Sequence, residues 1–161
     1  MSSPDAPREE ARPPTIEDLL KLCQRLSQEQ VKYVLIGGFA MIYHGMPRAT
    51  EDIDLLVDPS SENVEKIKKA LSFLPDKAIL EINSTDIDKY QVVRIVDEFV
   101  IDLIKAACEI DYEQAVCERF LWRGVEVIIA DVETMIKTKQ SVRPKDKEDL
   151  AFLQQLKKIE G

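Results

Sequence analysis

A chain of 161 residues, 45% apolar and 32% charged, has the make-up of one globular domain with a sizeable core. It contains no apolar run long enough to span a bilayer and no N-terminal apolar segment of the secretory kind, so a cytoplasmic protein is expected. The formal net charge of −8 argues against broad nonspecific affinity for nucleic acid, though not against an RNA gripped by a local basic face. Cys23, Cys108 and Cys117 are far apart, odd in number and next to no histidine, which fits neither a zinc site nor a disulfide framework. They read as reduced thiols, mostly core filler.

Residues 1–14 hold four prolines, several charges and little that is apolar, and read as a disordered tail before a single domain over residues 15–161. Thr15 followed by Asp18 is a capping-box pattern opening a helix, with Ile16, Leu19, Leu20, Cys23 and Leu26 on one stripe and an end near Gln30. Val31 to Ile36 is the first strand. It stops at Gly37-Gly38, and one or two helical turns follow. A second strand carries Asp52 and Asp54, which alternate with Ile53 and Leu55 and so share a face. Pro59-Ser60 makes a turn and a cap, and Val64, Ile67, Leu71 and Leu74 line the next helix. A short strand is predicted at Ala78 to Ile82, while Asp86 and Asp88 are assigned to a loop. Gln91–Val96 and Phe99–Ile104, separated by Asp97-Glu98, predict a tight hairpin. A short helix is predicted over Asp111 to Glu118. A second hairpin turns at Arg123-Gly124. Asp131 caps a helix running to about Val142, and Pro144 ends it, because a proline disfavours helix in the residue before it. The last helix spans Asp146 to Ile159, with Phe152, Leu153, Leu156 and Ile159 inward. These elements predict an α+β fold with a mixed β-sheet flanked by helices.

The chemistry concentrates in a few residues. Two adjacent carboxylates repel one another unless a cation lies between them, and a glycine turn opening a helix suits an anion. Asp52 and Asp54 after Gly37-Gly38 therefore suggest a metal-bound phosphate. Asp102 is a charge inside the apolar run Phe99–Ile104, a poor position for an aspartate. Alone it could equally face solvent on an edge strand. If its strand lies beside that of Asp52 and Asp54, three carboxylates converge, and hard oxygen ligands of this kind suit Mg²⁺. Two such ions can hold the attacking and leaving oxygens of an in-line displacement. Helical phase puts Lys139 on one face with Val132, Met135 and Ile136, and Lys137 on the opposite side. A lysine on an apolar stripe needs a partner, and a triphosphate or an acidic cluster would supply one. The competing role is a stem packed on the protein with the ammonium at the rim. Arg48 has two equal readings: a fork onto a phosphate or Asp52, or an exposed loop arginine. His44 reads as a satisfied helix-end histidine rather than a catalytic base, and Asp146 as the cap of the last helix. Trp122 and Tyr90 read as packing residues rather than platforms for a base.

Gly37-Gly38, the short helix, His44-Gly45, Arg48, Thr50 and Asp52-Ile53-Asp54 together resemble the signature of the DNA polymerase β superfamily of nucleotidyltransferases. Within it, the chain is similar to the small stand-alone bacterial and archaeal members, including AbiEii-type toxins. A second match is Lys137 through Asp146 followed by Asp149, which resembles the Lys…Arg-x-Lys/Arg-Asp stretch of the toxin-like members. The resemblance implies a polymerase β palm-like nucleotidyltransferase fold. It also implies that Gly37 and Gly38 cradle the triphosphate, that Asp52 and Asp54 bind both of two Mg²⁺ ions (or Mn²⁺), and that Asp102 is the third ligand and helps deprotonate the acceptor. Many relatives have serine where Gly38 stands; here only backbone N–H groups face the phosphate. The implied activity is metal-dependent transfer of NMP from an NTP to a hydroxyl of a tRNA, a protein or a small molecule, with pyrophosphate released. The alternative is a non-catalytic nucleotide-binding or toxin–antitoxin module on the same fold, with an antitoxin as partner. A complete acid triad favours the enzyme. A dinucleotide site of the Rossmann kind is the weaker competitor: no G-x-G-x-x-G follows the first strand, and the acid pair comes about fifteen residues on rather than about twenty.

Overall fold

The computed structural model describes residues 11–160. Residues 1–10 of the predicted tail lie outside the described residues. Just after them Pro14 is buried, and the Arg12 amide donates to the Glu98 carbonyl at 3.1 Å. Helix α1 (Ile16–Gln28) opens with the expected capping box: the Thr15 hydroxyl accepts from the Asp18 amide at 3.2 Å, and the Asp18 carboxylate accepts from the Thr15 amide at 2.7 Å. Its stripe Leu19, Leu22, Cys23 and Leu26 is fully buried.

Strand β1 (Tyr33–Ile36) is buried at every residue and runs straight into helix α2 (Gly37–Tyr43). Strand β2 (Asp52–Val57) returns antiparallel to β1, with Ile36 opposite Asp54. Helix α3 (Ser61–Ala70) follows, capped by Ser60. Buried Asn63 ties it down, accepting from the Lys32 amide at 2.8 Å and donating to the Lys32 and Asp58 carbonyls. After the short helix α4 (Asp86–Lys89), strands β3 (Val92–Val96) and β4 (Val100–Ile104) form the predicted hairpin, but Phe99 joins Asp97 and Glu98 in the loop, so the turn is one residue longer than expected. Two short strands, β5 (Ala106–Ala107) and β6 (Ile110–Asp111), pair with each other. Strands β7 (Cys117–Trp122) and β8 (Val125–Ala130) form the second hairpin, and Arg123 and Gly124 at its tip both have positive φ, as a two-residue turn of this hand demands. Helices α5 (Val132–Thr138) and α6 (Pro144–Glu160) close the described chain and pack together.

Six strands make one mixed sheet in the order β3-β4-β2-β1-β8-β7. Both β2/β4 and β1/β8 are parallel, so the strand carrying Asp102 lies directly beside the strand carrying Asp52 and Asp54. Helix α1 packs against β8 and α3, and α2 against β1 and β2. No helix among the described residues is long and apolar enough to cross a membrane.

Several local predictions are corrected. Residues 78–81 form a 3₁₀ turn rather than a strand. The reason is Asp97: fully buried, it accepts from the Asp76, Ala78 and Glu98 amides and folds that segment against the hairpin tip. Asp86 and Asp88 lie on α4 instead of a loop. No helix spans Asp111–Glu118; Asp111 and Gln114 exchange side-chain to backbone bonds that close a single turn, and β7 then begins at Cys117. Helix α5 stops at Thr138, short of Val142. Pro144 starts α6, where its missing N–H costs nothing. Ile159 is exposed rather than inward. Of the cysteines, Cys23 alone is core, its thiol pushed up to about 12 by burial, while Cys108 and Cys117 are exposed.

Candidate active site

The site forms where the start of α2, strands β2, β3 and β4, the end of α5 and the first turn of α6 meet. In the β2/β4 register Asp54 stands opposite Asp102, and Asp52 projects on the same face one pleat away. Carboxylate oxygens of Asp52, Asp54 and Asp102 all lie within 4.8 Å of one another. This spacing and oxygen-only chemistry fit a hard divalent cation. Asp102 is buried, and Asp52 and Asp54 are half-buried.

Gly37 sits against this cluster for a steric reason. Its φ is +74°, and a Cβ built on it would lie 2.1 Å from Asp54 Oδ2. No side chain fits, and the backbone conformation disfavours one. A Cβ on Gly38 would come within 2.7 Å of Thr50 Cγ2, so Thr50 fills the space a side chain at position 38 would take. Both glycines, the three acids, Arg48 and Lys139 line one cavity of about 340 Å³.

The two predicted cations reach that cavity through an arrangement that helical phase did not reveal. Lys139 caps the end of α5 and is buried, its Nζ 3.0 Å from Asp149 and 3.7 Å from Asp146. Arg48 does not pair with Asp52. Its Nη1 donates to both oxygens of Asp149, at 2.6 and 2.7 Å. Asp149, 1% exposed on α6, is therefore the shared counter-ion that holds both cations at the cavity. Asp146 is not the cap of α6 either. It lies inside the first turn, buried, and accepts from Ser141 Oγ at 2.6 Å and Arg143 Nε at 3.0 Å. Burial pushes its pKa up, but these bonds and the Lys139 charge outweigh it and hold the carboxyl below the ordinary range. His44 closes α2, with its Nε2 2.8 Å from the Ala130 carbonyl, as a satisfied helix-end histidine would. Lys137 is exposed. Trp122 packs with Tyr43 and Phe120.

Arg94 belongs to the site although no local sequence pattern assigns it there. It lies opposite Asp102 across the β3/β4 hairpin, with Nε and Nη2 each 2.9 Å from an Asp102 oxygen and Nη2 3.3 Å from Asp52. The available signal was a charge at an alternating position in Val92–Val96, but a two-residue turn at Asp97-Glu98 would set it opposite Ile101; the observed loop also takes in Phe99 and shifts the register to Asp102. Asp149 is part of the second match, and its place one turn after Asp146 on the face that carries Leu153 marks it as an inward charge.

Crowding of like charges governs protonation here. Burial first, then the charges of Asp52 and Asp102, push the Asp54 carboxyl up to about 8, with Lys139 working against them. Asp52 is raised by burial and by Asp102, opposed by Arg94. A carboxyl with a folded pKa above its unfolded value binds more protons in the native state, so stability falls as pH rises between the two values and is flat above the higher one. In EDTA, melting temperature should therefore fall between about pH 5 and about pH 8 more steeply for the parent than for Asp54→Asn. Saturating Mg²⁺ should remove most of that excess. Equal slopes for the two proteins would show that Asp54 carries no such proton.

The family model for the nucleotidyl transferase AbiEii toxin of type IV toxin–antitoxin systems matches residues 21–140. No curated protein matches the sequence. Among solved structures, the chain is similar to the lincomycin-bound lincosamide antibiotic adenylyltransferase LnuA, at TM-score 0.54 and 13% identity over 92% of this chain and 99% of that one. It is similar to a candidate nucleotidyltransferase from Thermotoga maritima, at TM-score 0.51 and 17% identity over 90% of this chain and 88% of the other. An antigenic nucleotidyltransferase-like protein from Paracoccidioides brasiliensis gives TM-score 0.55 and 16% identity over 92% and 79% of the two chains. At such identities the likeness is one of fold, and it agrees with the mixed sheet and flanking helices described above.

Proposed function

The chain belongs to the nucleotidyl transferase AbiEii toxin family, and from that premise we propose that it moves a nucleoside monophosphate from an NTP to a hydroxyl acceptor and releases pyrophosphate, with divalent metal held by Asp52, Asp54 and Asp102. The observation that carries the proposal is the three-carboxylate cluster set directly against a glycine turn in one cavity. Mg²⁺ bound there would neutralise charge on the α-phosphate and on the attacking and leaving oxygens.

The chain's own residues do the rest. Backbone N–H groups at Gly37 and Gly38 take the triphosphate, since no side chain at either position stands in the way. Lys139 and Arg48 supply positive charge in the lining of the same cavity, held there by Asp149. The acceptor oxygen attacks the α-phosphorus, the bond from that phosphorus to the α,β-bridging oxygen breaks, and Asp102 takes the acceptor's proton. Catalysis in this scheme is positioning plus electrostatic stabilisation, as in phosphoryl transfer generally.

The acceptor is a hydroxyl on RNA, on a protein or on a small molecule, and an antitoxin chain is the proposed protein partner. The test is transfer of ³²P from each α-labelled NTP, with Mg²⁺, to total RNA and to lysate protein. Label should appear with at least one NTP and disappear in EDTA. Absence of transfer with all NTPs, together with no Mg²⁺-dependent NTP binding by calorimetry, would reject the enzyme and leave the non-catalytic module.

A further inference from the structure

Arg94 grips the same oxygens that the proposed metal site would use. Its planar fork spans both oxygens of Asp102 at 2.9 Å and reaches Asp52 at 3.3 Å. A divalent ion on those carboxylates, at the usual distance of about 2.1 Å for Mg²⁺, would face a cation already in place. Two like charges cannot share the pair of acids without strong repulsion. The arginine nonetheless has freedom to leave. Its side chain is 57% exposed, whereas that of Asp102 is 8% exposed. It stands between the catalytic cavity and a second one of about 410 Å³, lined by Glu51, Val96, Val100 and Pro13 among others, and it lines both, as Asp52 does.

We propose that Arg94 competes with the divalent ion for Asp102 and Asp52, and that loading the triad requires its guanidinium to swing off these acids toward the second cavity. The side chain thereby keeps two close carboxylates neutralised and sets the ion concentration at which the site fills. An ordinary structural ion pair on an edge strand would have no such effect on metal affinity. The proposal rests on Asp52, Asp54 and Asp102 being the metal ligands, and the experiment separates the two.

Free Mn²⁺ is measured by electron paramagnetic resonance while the parent, Arg94→Gln, Arg94→Lys and the double variant Asp52→Asn with Asp54→Asn are titrated without nucleotide. Circular dichroism melts confirm that each is folded. Arg94→Gln should bind Mn²⁺ about tenfold more tightly than the parent, the scale of one charge-assisted grip. Arg94→Lys, which keeps the charge but loses the two-point fork, should fall between them. Affinities of both Arg94 variants within twofold of the parent would overturn the proposal. So would a lysine variant equal to the parent beside a tightened glutamine variant, because background charge then explains the effect. If the double Asp variant binds Mn²⁺ as the parent does, the metal-site assignment itself falls, and this inference with it.

Discussion

Asp54→Asn should cut nucleotidyl transfer by roughly 10³-fold or more, since a metal-held charge stabilises the transition state by several kcal/mol and about 4 kcal/mol corresponds to that factor. The substitution is nearly isosteric and removes a negative charge from a cluster that repels itself. The folded protein should therefore be no less stable than the parent and, above about pH 8 in EDTA, more stable. This pairing of lost activity with kept or gained stability distinguishes a ligand from a structural residue. The measurement is initial rate of label transfer at saturating NTP beside a melting curve of the same preparation. A variant retaining more than about a tenth of parental activity would remove Asp54 from the mechanism.

Gly37→Ala should damage both the fold and the site. The added Cβ would lie 2.1 Å from Asp54 Oδ2 and also within 3 Å of that side chain's carbon atoms, on a residue whose φ is +74°. The left-handed backbone alone costs an alanine about 1–2 kcal/mol. The collision adds to that by forcing Asp54 or the β1–α2 junction to move. For a chain of this size, a total of about 2 kcal/mol lowers the melting temperature by roughly 4–8 °C. Transfer should fall as steeply as in Asp54→Asn, because Asp54 is displaced from its neighbours. A double-mutant cycle isolates the collision: with Asp54→Gly in the background, which removes the Cβ as well as the carboxylate, Gly37→Ala should cost only the backbone strain. An equal cost in both backgrounds would show that glycine is there for its backbone alone.

These expectations trace back to different levels of information. The capping box at Thr15, both hairpins, the glycine pair and the alternation of Asp52 with Asp54 depend on neighbours within a few residues, and all were legible as local patterns. The placement of Asp102 was legible only conditionally. Its oddness in an apolar strand marked it, but nothing local says which strand lies beside it; the parallel β2/β4 pairing does. Two of the misassigned segments share one cause. At residues 78–81 and 111–116, side chains bond to backbone groups, through Asp97 across the fold and through Asp111 and Gln114 within one turn, and override propensity.

The amino-acid sequence by itself determined that this protein has a glycine turn, a paired-acid strand, a third acid in a hairpin and a lysine near the end of α5. Local chemistry and periodicity suffice for that, since each feature is written in consecutive residues. Tertiary structure alone decided which charges meet. Arg48 and Lys139, 91 residues apart in the chain, converge on Asp149 of α6, and Arg94 closes on Asp102 and Asp52. Ion pairs are chosen by proximity and burial after the sheet has ordered its strands. Their partners are therefore set by the strand order β3-β4-β2-β1-β8-β7 and by the seat of α6, and no spacing in the chain encodes either one.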